Sequence, residues 1–307
     1  MSTTSLSTTT AIVHWGQGVL RGPSQVYFQQ NLFTGVLVLA AFFVADWRMG
    51  VLAVLGALGG IAGGLTMRFT LENVSTGMQS FCGALVGAAT FAALGGNGWW
   101  VYALSIVGGF ATGPVTWVVN AAFTRTVLKN FELPYTTAPF VIVSTIIAVS
   151  TLRLAVPSAP TKLPSEPVAS FFLSLLTNIS QVVLIDNPVC GALILLGLFI
   201  ASWRVGAAAV LGSLFGSLVA IVLGEPWSEI ANGLANYSGV LTAIALAVTF
   251  LKSSIASWLY SLPWIAVTAI VTLFMHRVGV VTYTWPYILT TWAALVVAYY
   301  MRRLKRA

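Results

Sequence analysis

Residues 24–50 read SQVYFQQNLFTGVLVLAAFFVADWRMG, and residues 180–206 read SQVVLIDNPVCGALILLGLFIASWRVG. The two stretches align without a gap at a constant offset of 156, and they share the Ser-Gln-Val start, an asparagine, a glycine and a Trp-Arg pair. Two unrelated apolar helices would share leucine and alanine rather than these polar and aromatic positions. The match therefore indicates that the chain is an internal duplication.

A second block repeats at the same offset. Residues 77–85 read GMQSFCGAL and residues 233–241 read GLANYSGVL, which pairs Phe81 with Tyr237 and Leu85 with Leu241. The proline-rich segment VPSAPTKLPSEP separates the two copies and is typical of a linker. The predicted divisions are a soluble Ser/Thr-rich tail at 1–23, a first repeat at 24–155, the linker at 156–167, a second repeat at 168–301 and a basic tail at 302–307.

Composition assigns the chain to the membrane. It is 58% hydrophobic and only 7% charged, with a mean hydropathy of +0.93, whereas soluble domains carry roughly a quarter charged residues. An all-α polytopic membrane protein is expected, because helices satisfy their own backbone groups in lipid. Part of the net charge of +7 lies in RRLKRA, which predicts a cytoplasmic C-terminal tail rather than a nucleic-acid surface.

Apolar stretches alternate with short polar segments in both copies. Several are shorter than the ~20 residues that a straight span needs. If each half crosses the membrane an odd number of times, the second half is inserted upside down relative to the first, as in many transporters. The stretches lie near residues 28–45, 50–67, 80–96, 99–123, 138–152, 168–185, 188–202, 205–223, 239–251, 254–275 and 286–301.

Proline interrupts the apolar pattern at one related place in each copy. Residues 133–140 read LPYTTAPF and residues 280–287 read VVTYTWPY, so both contain Thr-x-Pro-aromatic, with Thr137 and Thr284 at the same position. Proline stops a helix and frees backbone carbonyls, which are tolerated at membrane depth only when they are buried or line a wet cavity. The pattern predicts threonine hydroxyls and freed carbonyls where the two halves meet.

The ionisable residues argue against ion coupling, metal binding and catalysis. The acidic residues fall near predicted span ends or loops, whereas ion-driven carriers generally need an ionisable group within the membrane. With two cysteines and two histidines, the span interiors hold no catalytic constellation, so no enzyme, metal or cofactor is expected. The acidic residues are Asp46, Glu72, Glu132, Glu166, Asp186, Glu225 and Glu229.

These motifs together resemble the urea transporter family. Residues 133–140 match its signature LPxxTxPF, and the duplicated Gln-Val…Asn…Gly and Gly-x-x-x-(Phe/Tyr)-x-Gly-x-Leu blocks occur in the family's order, over about residues 25–292. Two departures are present. The second signature has Val-Val in place of Leu-Pro, and Cys82 and Ser238 replace an asparagine that is usual in the family.

The resemblance implies a fold and an activity. The fold would be two inverted homologous halves, each with about five transmembrane helices and a re-entrant half-helix, and a pore on the pseudo-two-fold axis. The protein would be a homotrimer in the inner (plasma) membrane that passes urea down its gradient without a cofactor. Both glutamines would lie at the pore ends and both threonines at its centre, with apolar slot walls between. The implied pore residues are Gln25, Phe28, Phe81, Leu85, Thr137, Gln181, Val182, Leu184, Tyr237, Leu241 and Thr284.

Other interpretations of the same residues stay open at this point. A threonine in a membrane helix often bonds to its own backbone or joins two helices. The aromatic residues are also typical of an ordinary core, and the glutamines of helix caps. At the level of function, a channel or carrier for another small neutral amide or for ammonia has the same sequence features. A membrane-embedded enzyme would need a catalytic constellation such as paired Asp residues, and the span interiors hold none. A scaffold protein would not need duplicated pore-like motifs.

Overall fold

The structure is a computed structural model that describes residues 8–156, 164 and 166–307. Within these residues the chain forms fourteen α-helices and no β-strand. The helices that precede the linker are α1 (Thr8–Gln25), α2 (Leu32–Ala45), α3 (Trp47–Thr66), α4 (Leu71–Ser75), α5 (Phe81–Leu94), α6 (Trp99–Arg125) and α7 (Ala138–Ser150). Those that follow it are α8 (Pro167–Gln181), α9 (Pro188–Ala201), α10 (Trp203–Val222), α11 (Trp227–Ala231), α12 (Ser238–Ile244), α13 (Ile255–Arg277) and α14 (Trp285–Tyr299).

Three short non-α segments complete the helical structure. Two are 3₁₀ turns, at Val127–Phe131 and Leu152–Leu154. The third is a π-helical segment, Ala245–Thr249, which continues α12. The corresponding helix α5 has no such segment and remains α-helical over its whole length. The two copies therefore differ at this point.

All the predicted apolar stretches contain a helix, which agrees with a helical membrane protein. By length and hydropathy, four of the described helices suffice to cross a bilayer: α3, α6, α10 and α13. Helices α2, α5, α7, α9 and α14 are apolar but have only 13 to 15 residues. The sequence predicted several apolar stretches shorter than a straight span, and these five helices are correspondingly short.

The asparagine shared by the two copies begins a helix in each. Asn31 Oδ1 accepts a hydrogen bond of 3.0 Å from the backbone N–H of Thr34 at the start of α2. Asn187 Oδ1 accepts one of 2.8 Å from Val189 N at the start of α9. Asparagine is among the best N-cap residues because its side chain satisfies one of the free N–H groups of the first turn. The repeated asparagine therefore defines where each helix starts.

The shared glycine permits close helix packing in each copy. A Cβ at Gly35 would collide with the backbone carbonyl of Leu20, and a Cβ at Gly191 would collide with that of Leu176. Leu20 and Leu176 are themselves separated by the offset of 156. The repeated sequence thus produces the same contact twice, between α1 and α2 and between α8 and α9.

The two copies are joined by a common core. Helix α2 packs against α9, and Thr34 Oγ1 donates a hydrogen bond of 2.7 Å to the carbonyl of Gly197. The Tyr27 hydroxyl donates one of 2.6 Å to the carbonyl of Ile179. A single hydrophobic cluster contains buried residues from both copies, including Val26 and its counterpart Val182. The two copies therefore contact each other directly along α2 and α9 and share one hydrophobic cluster.

The expected soluble tail at residues 1–23 is wrong from Thr8 onward, whereas residues 1–7 lie outside the described residues. Helix α1 occupies Thr8–Gln25 and packs against α2, α4 and α5. Gly18 and Gly22 have no side chain to keep α1 away from its neighbours, and Ser80 Oγ donates to the Gly18 carbonyl at 2.7 Å. The Ser/Thr-rich composition concealed a helix whose packing surface consists partly of glycine.

The predicted linker and the predicted basic tail differ in how much of each the structure describes. Most of the predicted linker, namely residues 157–163 and 165, lies outside the described residues. The basic segment 302–307 is in part packed against the helices, because Leu304 is only 8% exposed. Arg306 donates a hydrogen bond to the carbonyl of Glu132. Residues 304–306 are therefore attached to the helical body, and the cytoplasmic position of the segment stays a prediction.

Candidate functional site

Helices α7 and α14 begin next to each other, at the two threonines that the motif predicted. Thr137 Oγ1 and Thr284 Oγ1 are joined by a hydrogen bond of 2.6 Å, and the residues are only 1% and 2% exposed. Neither hydroxyl caps its own helix. The two copies are therefore connected by a buried hydroxyl pair.

The hydroxyl pair keeps unused hydrogen-bonding capacity. A threonine hydroxyl offers one donor and two acceptor lone pairs. The bond between Thr137 and Thr284 uses one donor and one lone pair. One O–H donor and several lone pairs remain, so the pair can accept from an N–H group and donate to a carbonyl of a small neutral molecule.

The residue before each threonine has a left-handed backbone. Thr136 has φ +48° and Tyr283 has φ +37°, which is costly for residues with a Cβ. Such conformations persist only where the surroundings determine them. The Tyr237 hydroxyl donates a hydrogen bond to the Tyr283 carbonyl and so contributes to fixing that backbone. These turns position the threonines at the ends of α7 and α14.

A second pair of left-handed residues occurs where α1 and α8 end. Phe28 has φ +61° and Leu184 has φ +66°. The Phe28 N–H donates to the Gln25 carbonyl, and the Leu184 N–H donates to the Gln181 carbonyl, both at 2.9 Å. The chain therefore makes the same tight turn after α1 and after α8, and this turn positions Phe28 and Leu184, two of the predicted slot residues.

A cavity of about 410 Å³ lies next to the end of α1, where Gln25 and Phe28 line it. Its wall has two aromatic contacts. Phe28 and Phe250 meet edge to face with ring centroids 5.2 Å apart, and Phe81 lies 6.3 Å from Tyr135 at an angle of 30°. The cavity is also lined by Thr136, directly before Thr137. The cavity therefore has aromatic walls and reaches the residue before Thr137.

The two glutamines at the helix ends differ in their hydrogen bonding. Gln25 lines the cavity, and its Nε2 donates to the Thr76 carbonyl at 2.7 Å. Gln181 is 8% exposed, and its Oε1 is buried with no hydrogen-bond partner among the residues that the structure describes. A buried carbonyl oxygen without a donor is costly, which makes it a strong acceptor for an incoming N–H group.

The remaining predicted residues lie in the common core. Phe81, Leu85, Val182, Tyr237 and Leu241 are buried in the cluster that joins the copies. Phe28 and Leu184 are partly buried and pack against it. The structure therefore brings the predicted site residues into one region, although their roles toward a solute stay a prediction.

Sequence reasoning missed two aromatic walls of the cavity. Tyr135 lies inside the quoted motif LPYTTAPF, but the motif alone does not indicate that its ring faces Phe81. Phe250 follows the π-helical segment, and π-helical turns are not visible in an apolar sequence. Trp292 was also missed as a support: its Nε1 donates to the Pro134 carbonyl at 2.8 Å, which ties α14 to the first motif.

The described residues that line the cavity carry no charged side chain. Three ion pairs lie elsewhere in the described chain and join Asp46 to Arg48, Glu132 to Arg306 and Glu225 to Arg277, of which Glu132 directly precedes the lining residue Leu133. The Arg48 hydrogen bond holds the pKa of Asp46 below its usual value. Across the described part of the chain, no three His, Cys, Asp or Glu side chains gather in a way that could hold a metal ion.

The described residues form an all-helical, apolar structure with four helices long enough to cross a membrane, which is consistent with a membrane transport protein. The family model described as urea transporter matches residues 17–299. This is most of the chain, and the protein belongs to the urea transporter family.

Curated relatives support the same family. Urea transporter 1 of Rattus norvegicus is 29% identical over 291 residues, which cover 89% of this chain and 74% of the rat protein. Urea transporter 1 of Ovis aries is 27% identical over 295 residues, with the same coverage of both chains. The similarity is therefore spread over nearly the whole described sequence.

Proposed function

We propose that this protein is a passive channel for urea, which moves down its gradient through a narrow pore between the two halves of the chain. Membership of the urea transporter family supports urea as the solute, as do the names of the rat and sheep relatives. The proposed path runs from the cavity at Phe28 past Thr137 and Thr284 to Gln181.

The chemistry of urea suits these residues. Urea is flat and uncharged, and it carries four N–H donors and one strong acceptor. Moving a polar group from water into an apolar site without a hydrogen-bond partner costs about 1–3 kcal/mol of free energy in proteins. A channel must offset that cost at several moderate sites rather than one tight site. Flat aromatic walls and successive oxygens meet both requirements.

The hydroxyl pair is the observation that carries the proposal. Thr137 and Thr284 give their hydroxyls to each other and not to their own helices, which argues against the interpretation as ordinary backbone bonding. The pair lies where the two Thr-x-Pro motifs meet, and it offers both donor and acceptor sites. An uncharged site of this kind suits a neutral solute.

The architecture completes the proposal. We place the two halves, α1–α7 and α8–α14, in inverted orientation about a pseudo-two-fold axis. The duplicated caps and glycine contacts support the duplication on which this arrangement rests. We further propose a homotrimer in the inner membrane, with each protomer holding its own pore and with residues 302–307 on the cytoplasmic side.

Flux into liposomes tests the proposal. The purified protein is reconstituted, and urea uptake is followed with and without an imposed proton gradient. Urea flux above that of empty liposomes and independent of the gradient is expected. Dependence on the gradient would contradict the passive mechanism. Faster flux of acetamide or ammonia than of urea would contradict the choice of solute and leave the pore in place.

A further inference from the structure

Phe250 lines the 410 Å³ cavity beside Phe28, and its backbone pairs with a short segment from elsewhere in the chain. The contact between these two rings is here called the cavity mouth. The N–H of Ala307 donates to the Phe250 carbonyl at 3.2 Å, and the N–H of Lys252 donates to the Lys305 carbonyl at 2.9 Å. Leu251 and Arg306 form an isolated antiparallel bridge. Residues 304–307, here called the strap, therefore pair with the backbone on both sides of Phe250.

The side chains of the strap strengthen this attachment. Leu304 lies in a small buried cluster with Leu246, Leu251 and other apolar residues, and both Phe250 and Leu133 pack against that cluster. Phe250 and Leu133 also line the 410 Å³ cavity. Leu304 thus lies behind two residues of the cavity wall.

Arg306 connects the strap to the other half of the chain. Its guanidinium donates to the Glu132 carbonyl, and Arg306 Nε lies 3.9 Å from Glu132 Oε2. Glu132 directly precedes Leu133 and the motif that contains Thr137. The strap therefore fastens the loop that follows the π-helical segment to the loop that leads into α7.

Phe250 stands at the end of an irregular helix. Helix α12 widens into a π-helical segment over Ala245–Thr249, and Phe250 is the residue at which that segment ends. Its aromatic ring makes the edge-to-face contact with Phe28. π-helical segments are rare and frequently lie at functional sites. The strap pairs with the backbone where this segment ends, so it contributes to the position of the Phe250 ring.

We propose that the strap sets the width of the cavity mouth by holding Phe250 against Phe28, which makes Leu304 and Arg306 positioning residues for selection against solutes wider than urea. This inference rests on the proposed function, because it assigns a task to one wall of the proposed pore. Loss of the strap would widen the mouth and admit substituted ureas, with a smaller effect on urea itself.

Selectivity measurements test the proposal directly. Fluxes of urea and N,N′-dimethylurea are compared in proteoliposomes for Leu304→Ser, Arg306→Ala and Phe250→Ala. The dimethylurea-to-urea flux ratio is expected to rise about threefold in each variant, which is the scale of a lost aromatic contact. Arg303→Ala, an exposed neighbour that removes the same charge, is the matched control and should leave the ratio unchanged.

A double variant distinguishes an effect of the strap on Phe250 from a general destabilisation of the protein. If Leu304 acts through Phe250, Leu304→Ser adds nothing further to the ratio in a Phe250→Ala background. An equal rise in both backgrounds would overturn the proposal, as would an unchanged ratio in both Leu304→Ser and Arg306→Ala. Arg306→Ala leaves the buried cluster of Leu304 intact. If Leu304→Ser does not fold, the flux ratio of Arg306→Ala alone tests the proposal.

Hydrogen exchange makes the result independent of transport. The Lys252 N–H is bonded to the strap, so its exchange should be about tenfold faster in Arg306→Ala than in Arg303→Ala. Unchanged exchange at Lys252 would overturn the strap whether or not urea passes. If the unmodified protein passes no urea while Lys252 exchange responds as expected, the proposed function fails and the strap stands only as a support for Phe250.

Discussion

Thr137 and Thr284 share a hydrogen bond of 2.6 Å between their hydroxyl oxygens, although 147 residues separate them in the chain. Each threonine stands two residues before a proline and directly after a residue with a left-handed backbone. Two related helix starts thus meet and place two buried hydroxyls in contact. This relationship joins the duplication in the sequence to a single polar point in the structure.

Replacement of Gln181 by leucine tests the acceptor at the second pore end. The buried Oε1 has no hydrogen-bond partner among the described residues, so urea would gain a contact there that leucine cannot provide. Urea flux in proteoliposomes is expected to fall about fivefold. Gln17→Leu, on α1 and outside the cavity, is the control, and equal flux in both variants would contradict the assignment.

Replacement of Gly35 by alanine tests the repeated helix contact. The added Cβ would collide with the Leu20 carbonyl, which cannot move without its helix, and overpacking of this kind costs about 1–3 kcal/mol. The thermal unfolding midpoint in detergent should fall by about 5 °C. Gly16→Ala is the matched control, since no atom lies within 4 Å of its Cβ. Equal midpoints would show that α1 and α2 do not pack as described.

Replacement of Asp46 by serine tests a pH-dependent contribution to stability. Serine stands at the equivalent position 202, and the Arg48 hydrogen bond lowers the pKa of Asp46 in the folded protein. Its contribution is fully present above the unfolded pKa of about 3.9 and is lost as the pH falls through the lower folded value. Wild type should therefore unfold at a higher temperature than the variant at pH 7, and the gap should narrow as the pH falls below about 3.9. A gap independent of pH would contradict this.

The sequence repeat could be recognised because the two stretches share polar and aromatic residues at matching positions, and not only a similar apolar composition. The shared Asn31 and Asn187 have a local task, the N-cap, and local hydrogen bonding can be deduced from short sequence patterns. The same holds for the Thr-x-Pro motifs, since proline fixes a helix start through its own geometry. These features require no knowledge of distant contacts.

The rest depends on distant contacts that a single sequence does not contain. Helix α1 was missed because its packing surface includes Gly18 and Gly22, which carry no apolar signal. Phe250 was missed as a cavity wall because its position depends on a π-helical segment and on residues 304–307, far along the chain. Even for Thr137 and Thr284, the sequence predicted their meeting but not that each hydroxyl would bond the other.

Urea flux through Thr137→Val, Thr284→Val and the double variant tests the central claim most directly. Valine keeps the shape of threonine and removes the hydroxyl, whereas Thr137→Ser and Thr284→Ser keep the hydroxyl and serve as controls. Size-exclusion chromatography checks that assembly is unchanged. Each valine variant is expected to lower urea flux about fivefold, and the double variant to lose less than the product of the two, because the hydroxyls share one bond. Unchanged urea flux in both single valine variants would contradict the account.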